Sequence, residues 1–319
     1  MQIFKNPNYD FVRWRWHAIV LSALIIAVGM YIIGTRGLKK GVDFEGGTVV
    51  ILQFNETPDF GRIRGALGDA AVQRFGPADR RQVMIRVNRT GQELGGDLSK
   101  EAERIIQTLK ASNVGSFQEQ PVRVTIVGPV VGEQLRKQGL MATVLAMAGI
   151  LAYIALRFQF SFAVGAVVAT LHDLLVTLTF LTFFQYDMTL NVIAGLLTIT
   201  GYSVNDTIVV FDRVRENMRS MRRDNLANIV NTAVNQTLSR TVITAGTTLL
   251  SVTALYLFGG EVLKGFAFTM LVGIISGTYS TVFIAASLAI MFQGGRPLKG
   301  QAPPTATAAT TRPSRRRAS

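Results

Sequence analysis

Residues 18–34 read AIVLSALIIAVGMYIIG, an apolar stretch without a charged side chain. A helix needs about 20 such residues to cross the hydrocarbon core of a bilayer. The stretch is too long for a signal peptide and lacks a small-residue cleavage site, so we predict a retained membrane helix. The same criterion predicts six membrane helices in all, over residues 18–34, 139–156, 162–184, 190–211, 237–258 and 266–292.

The composition agrees with a membrane protein and excludes several other classes. Apolar residues make up 49% of the 319-residue chain and charged residues 17%, whereas charged residues make up about a quarter of a typical soluble domain. The absence of cysteine excludes disulfides, thiolate zinc sites and iron–sulfur clusters. No GxxxxGK(S/T), HExxH or GxSxG motif occurs. We therefore predict no enzyme, metal or cofactor, which leaves a channel, a scaffold or an ion-gradient machine.

The net charge of the chain is +13, and its main clusters of basic residues flank predicted membrane helices. Its basic clusters are Lys5, Arg13 and Arg15; Arg213, Arg215, Arg219, Arg222 and Arg223; and Arg296, Lys299, Arg312, Arg315, Arg316 and Arg317. The positive-inside rule predicts cytoplasmic termini, with cytoplasmic segments at 1–17, the loop 212–236 and a disordered tail at 293–319. Such clusters suit anionic lipid headgroups of the bilayer. We predict no specific nucleic acid partner, because no aromatic platform accompanies the charge.

Residues 35–138 are predicted to form one external domain between the first two membrane helices. The apolar patterning predicts strands over 48–54, 82–87 and 122–127, and helices over 59–74 and 98–110. One more short strand is expected near 115–118 or before residue 82. This order is that of a βαββαβ, ferredoxin-like unit. The predicted fold class is an α-helical polytopic membrane protein with one external α+β domain.

Four ionisable residues lie within or at the start of predicted membrane helices: His172, Asp173, Asp206 and Arg240. An ionisable group at the bilayer centre costs roughly 2.5–3.5 kcal/mol on insertion scales, so its presence needs a reason. Further polar residues share their helix faces at helical spacing, among them Ser203 and Asn205 in span four and Thr244 in span five. Spans three to six thus each carry a polar face. A single half-unit would expose all four to lipid, which predicts a membrane partner.

The chemistry of these residues supports a proton relay, with static pairing as the alternative and a cation or substrate site as a third. A buried carboxyl group can bind and release a proton, because burial disfavours its charged form and a nearby arginine favours it. Arg240 could instead extend to the interface, and Asp173 could be a hydrogen-bonded packing residue. His172 is expected to be a satisfied polar group rather than a metal ligand.

Five segments together resemble the SecF family of the resistance–nodulation–division superfamily. They are GVDFEGGTVV (41–50), VGPVVGEQL (127–135), GYSVNDTIVVFDRVREN (201–217), SRT (239–241) and YLFGGEVLKGFAFTMLVGIISGTYS (256–280). The resemblance covers residues 1–292. It implies half of a transporter-like bundle that pairs with SecD, associates with the SecYEG channel and assists preprotein export across the bacterial inner membrane.

The resemblance also implies roles for individual residues. The family's proton-pathway carboxylate matches Asp206, its basic partner matches Arg240, and its HD pair matches His172 and Asp173. The family motif in the external domain comprises Asp43, Phe44, Gly46, Gly47 and Thr48; its glycines are expected to allow a tight turn from the first helix into the first strand. The energy source implied is the proton-motive force. A half-sized proton-coupled efflux transporter and a passive assembly scaffold remain the rival interpretations.

Overall fold

The computed structural model describes residues 7–45, 47–68, 70–76, 78–87, 98–127, 129–157 and 160–293. Gly46 and residues 294–319 of the predicted tail lie outside the described residues. In chain order, the regular elements are α1 (Arg15–Arg36), α2 (Val42–Glu45), β1 (Gly47–Gln53), α3 (Phe60–Leu67), β2 (Ala71–Phe75), β3 (Gln82–Val87), α4 (Leu98–Ala111), β4 (Arg123–Val127), α5 (Pro129–Arg157), α6 (Phe160–Phe183), α7 (Leu190–Ser220), α8 (Leu226–Phe258), α9 (Glu261–Ser280) and α10 (Ala286–Gln293).

Six spans in the described part of the chain are long and apolar enough to cross a membrane. Five are single helices: α1, α5, α6, α7 and α8. The sixth joins α9 to α10 through a π-helical turn at Thr281–Ala285. The chain is thus a multi-pass membrane protein in which α6, α7 and α9 pack against one another, with α1 against α6 and α8 against α7 and α9.

The helices α7 and α8 are longer than predicted. The sequence predicts a basic loop over 212–236, but only residues 221–225 separate the two helices. Their extensions pack together because buried apolar residues continue at helical spacing, including Val214 on α7 and Ile229 and Ala233 on α8. Asn225 caps the N-terminus of α8, since its side chain accepts a hydrogen bond from the backbone N–H of Asn228 at 2.8 Å.

Two glycines let α9 lie unusually close to α7. A Cβ at Gly273 would lie 2.5 Å from the Ile199 side chain, and one at Gly277 would lie 3.0 Å from the Ser203 Cβ. Small residues four apart permit this approach between membrane helices. The approach brings the serines of α9 within hydrogen-bond reach of the polar groups on α6 and α7.

The domain between α1 and α5, which the sequence predicts to be external, has the predicted ferredoxin-like order, with an antiparallel sheet arranged β2-β3-β1-β4. Its core lies between the sheet and the helices α3 and α4, and includes Leu52, Ile85 and Leu109. The helix predicted over 59–74 is wrong in its second half, since α3 ends at Leu67 and residues 71–75 form β2. Gly68 ends the helix at φ 60°, and β2 supplies the strand expected before residue 82.

Candidate functional site

Asp173 lies at the centre of a buried hydrogen-bond network that joins three membrane helices. Its carboxylate Oδ2 accepts hydrogen bonds from Ser203 Oγ of α7 at 2.6 Å and from Ser280 Oγ of α9 at 2.7 Å. Its Oδ1 accepts one from Ser276 Oγ of α9 at 2.7 Å and lies 3.0 Å from His172 Nδ1. The side chain is 2% exposed. Both oxygens are therefore satisfied inside the bundle, as a buried carboxyl group requires.

His172 continues this network toward α1. Its Nε2 lies 2.9 Å from Ser22 Oγ, and Ser22 Oγ donates to the Tyr279 hydroxyl at 3.2 Å. The Tyr279 hydroxyl donates in turn to the carbonyl of Ala18 at 2.7 Å. His172 and Asp173 thus contact each other but otherwise face different partners. Within the described residues, no group of three or more metal-ligating side chains converges.

Asp206 has a different environment from Asp173. Its Oδ1 accepts a hydrogen bond from Thr241 Oγ1 of α8 at 2.9 Å. Its Oδ2 is inaccessible to solvent and has no hydrogen-bond partner among the described residues. Burial of such an oxygen without a partner is costly, so this carboxylate has a vacant position for a proton or a further donor.

Arg240 begins the membrane part of α8 and is exposed. Arg240 and Asp206 are both among the described residues, and they form no ion pair with each other. Arg240 instead lines a cavity of about 450 Å³ formed by α5 and the extended ends of α7 and α8, together with Tyr153, Glu216 and Gln236. This cavity opens to the surface at the end of the bundle that carries the α7–α8 loop. The pairing of Asp206 with Arg240 stays a prediction.

The polar faces divide into a buried set and an exposed set. The faces of α6 and α9 meet at Asp173 and are buried within the chain. The predicted supporting residues lie on the other two helices: Ser203 is buried, whereas Asn205 of α7 and Thr244 of α8 are exposed. The expectation that all four faces need an outside partner is therefore wrong for α6 and α9, because they satisfy each other.

The motif of the external domain lies against the turn between α6 and α7. Asp43 Oδ2 accepts a hydrogen bond from the backbone N–H of Leu190 at 3.0 Å. Phe44 is 8% exposed and Thr48 2%. Gly47 has a φ of 136° where β1 begins, a conformation that favours glycine and agrees with the predicted tight transition.

Family comparisons identify this arrangement of helices and motif. Residues 106–295 match the family model described as protein export membrane protein SecD/SecF, C-terminal, and residues 31–58 match the SecD/SecF GG motif. The protein translocase subunit SecF of Desulfurispirillum indicum is 41% identical over 293 residues, covering 89% of this chain and 91% of the relative. The subunit of the same name from Vibrio alginolyticus is 42% identical over 295 residues, covering 91% of each chain.

The chain belongs to the SecF family. It is thereby a SecF subunit acting in protein translocation, which confirms the function predicted at that level. The SecF fold is confirmed by a crystal structure of SecDF, a translocon-associated membrane protein from Thermus thermophilus, with a TM-score of 0.79 at 32% identity. That match covers 91% of this chain and 39% of the solved one, so the SecF chain corresponds to well under half of the SecDF chain.

Several residues of this SecF site were missed by the sequence prediction. Ser22 and Tyr279 extend the Asp173 network to α1, and Arg86 and Asp187 join the external domain to the bundle. For Ser22, the sequence contains a weak indication of a polar partner, because its hydroxyl lies within the apolar stretch 18–34. Arg86 and Asp187 carried none, since their contact spans 101 residues of sequence.

Proposed function

We propose that this SecF chain uses the proton-motive force to promote late steps of preprotein export across the bacterial inner membrane. The single observation that carries the proposal is Asp206, whose buried Oδ2 has no hydrogen-bond partner among the described residues. A carboxylate with one vacant position can take up a proton and release it again. Asp173 has four polar neighbours at hydrogen-bond distance and no such vacancy.

The two carboxylates therefore receive different roles. Asp206 is the proton carrier, and Arg240, at the cavity beside it, favours the charged form when the proton leaves. The cavity that Arg240 borders is also lined by Asp212 and Glu216, roughly one to three turns from Asp206 along α7. The hydroxyls around Asp173, with His172, keep α6, α7 and α9 in register while Asp206 changes charge. A charge that crosses 100 mV gains about 2.3 kcal/mol, enough to bias two arrangements of helices.

The orientation proposed has both termini in the cytoplasm. The α7–α8 loop carries Arg222 and Arg223, while the turn on the opposite side between α6 and α7 carries no lysine or arginine. Basic loops favour the cytoplasmic face. The ferredoxin-like domain then lies on the outer side, where an emerging polypeptide would meet it. The SecYEG channel and the preprotein are the further partners of this proposal.

SecD is the proposed membrane partner. The chain resembles part of a single solved SecDF chain, and its remaining polar faces need cover. On α8, the hydroxyl residues Thr244, Thr247 and Ser251 follow Arg240 along one exposed face. Asn205 is exposed on the neighbouring helix α7. A second half-bundle that packs on these faces would remove their polar groups from lipid.

We expect the substitution Thr247→Trp to disrupt the complex with SecD. An indole side chain would prevent close packing on the exposed face of α8, where small hydroxyl residues permit it. The matched control is Leu24→Trp. Leu24 is exposed on α1, a helix that packs on α6 rather than on α8. The measurement is the amount of SecD recovered with the tagged chain from mild detergent. Equal recovery with both variants would exclude this face as the contact.

The experiment that tests the function follows late-stage export of a secretory protein into energised inner-membrane vesicles. Vesicles with this chain and SecD are compared with vesicles that lack the chain, each with and without collapse of the proton gradient. We expect the chain to add an export increment that disappears when the gradient collapses, because proton movement drives it. An increment that survives collapse would make the chain a passive scaffold.

A further inference from the structure

We propose that the turn between α6 and α7 couples the proton site to the external domain, with Asp187 as the positioning residue. This inference rests on the proposed function, because it assigns the path by which a shift of α7 reaches the outer side. The contacts that carry it converge on four consecutive residues, Asp187 to Leu190. We call this segment and its partners the coupling clasp: Lys39, Gly41, Asp43, Arg86, Asp187, Met188 and Leu190.

The backbone forms the first part of the clasp. The N–H of Met188 donates to the carbonyl of Lys39 at 2.7 Å, and the N–H of Gly41 donates to the carbonyl of Met188 at 2.7 Å. Lys40 and Met188 thus pair as in a parallel sheet. Gly41 fits only because it has no side chain, since a Cβ there would lie 2.7 Å from the Met188 carbonyl oxygen. Residues 39–41, which lead from α1 into the external domain, therefore lie directly on the turn.

Side chains form the second part. Arg86 of β3 forms an ion pair with Asp187, and the two side chains are 7% and 16% exposed. Lys39 Nζ lies 3.0 Å from Oδ1 of the same aspartate. A buried carboxylate that loses its partners is strongly destabilised, whereas an exposed one is not. Asp187 therefore holds β3 of the external domain against the membrane bundle.

The third part ties the clasp to the proton site. Thr189 and Asp43 both bond to the first turn of α7, at the backbone N–H groups of Val192 and Leu190. The positive end of the helix dipole also stabilises a carboxylate at this position. Asp206 lies on this same helix, 16 residues from Leu190, or about 24 Å along the axis. If α7 shifts when Asp206 changes charge, it would therefore displace Asp43, Met188 and residues 39–41 together.

The experiment uses the complete complex with SecD in energised vesicles and measures gradient-driven export together with proton flux. The charge-reversal variants Asp187→Arg and Arg86→Asp should each lose the gradient-driven export increment while proton flux through the complex persists. The triple variant, with Lys39→Glu, Arg86→Asp and Asp187→Arg, should recover much of the increment, because both neighbours of position 187 again carry the opposite charge. Failure of this recovery would show that pairing is not the reason for the loss, and would overturn the proposal.

A milder pair of variants guards against misfolding. Gly41→Ala adds one methyl group that meets the Met188 carbonyl, whereas the control Gly34→Ala has no atom within 4 Å of the added Cβ. We expect Gly41→Ala to lower the export increment without lowering proton flux, and Gly34→Ala to change neither. Equal loss of flux and export in the clasp variants, or unchanged export, would overturn the coupling role. Absence of any gradient-driven increment in the wild type would instead refute the proposed function itself.

Discussion

Replacing Asp206 by asparagine is expected to abolish the gradient-driven increment of export and leave the fold intact. The asparagine carbonyl can still accept the hydrogen bond from Thr241, and its volume matches that of aspartate. It cannot exchange a proton at the vacant Oδ2 position, however, so the cycle of charge and neutralisation stops. We expect the free energy of unfolding to change by less than about 1 kcal/mol.

The measurement compares Asp206→Asn with Asp224→Asn at matched levels of the complex. Asp224 is an exposed carboxylate in the α7–α8 loop, so it controls for loss of one negative charge on the same side of the bundle. Export is followed with and without the proton gradient, and SecD recovery checks assembly. If gradient-driven export is unchanged in Asp206→Asn, Asp206 is a pairing group and the result favours the scaffold interpretation.

Replacing Asp173 by leucine is expected to destabilise the bundle itself. Three serine hydroxyls from α7 and α9 would lose their acceptor, in addition to His172. Hydrogen bonds between membrane helices contribute about 0.6 kcal/mol each on average. With the cost of the unsatisfied groups left behind, we expect a loss of about 2–4 kcal/mol in the free energy of unfolding.

The control for Asp173→Leu is Thr170→Val on the same helix. Thr170 is 2% exposed, but its hydroxyl donates a hydrogen bond to the carbonyl of Ala166 in its own helix, at 2.9 Å. The measurement is the thermal midpoint of the detergent-solubilised complex, with the fraction of folded chain in the membrane as a second readout. Equal midpoints for the two variants would show that the Asp173 network does not hold the helices together.

These two variants separate what the sequence predicted as one relay. Spacing marks both aspartates as ionisable groups on polar helix faces, and nothing in the spacing distinguishes them. Their difference comes from neighbours on other helices: Ser276 and Ser280 donate hydrogen bonds to Asp173, while Thr241 is the one donor to Asp206 among the described residues. The resemblance to the SecF family named Asp206 and Arg240 together, yet the structure holds Arg240 at a cavity without an ion pair to Asp206.

The six spans, the ferredoxin-like domain between the first two of them and the family all follow from the amino-acid sequence alone. Apolar runs such as residues 18–34 and the alternation in residues 48–54 are local consequences of burial in lipid or in one face of a sheet. Which polar faces are buried, and where the ferredoxin-like domain contacts the bundle, depends on tertiary contacts. The contact of Arg86 with Asp187 and that of Ser22 with His172 join residues more than 100 positions apart, and no local pattern encodes such a pairing. The 59–74 segment shows the same limit, since pairing with β3 made a strand where local periodicity favoured a helix.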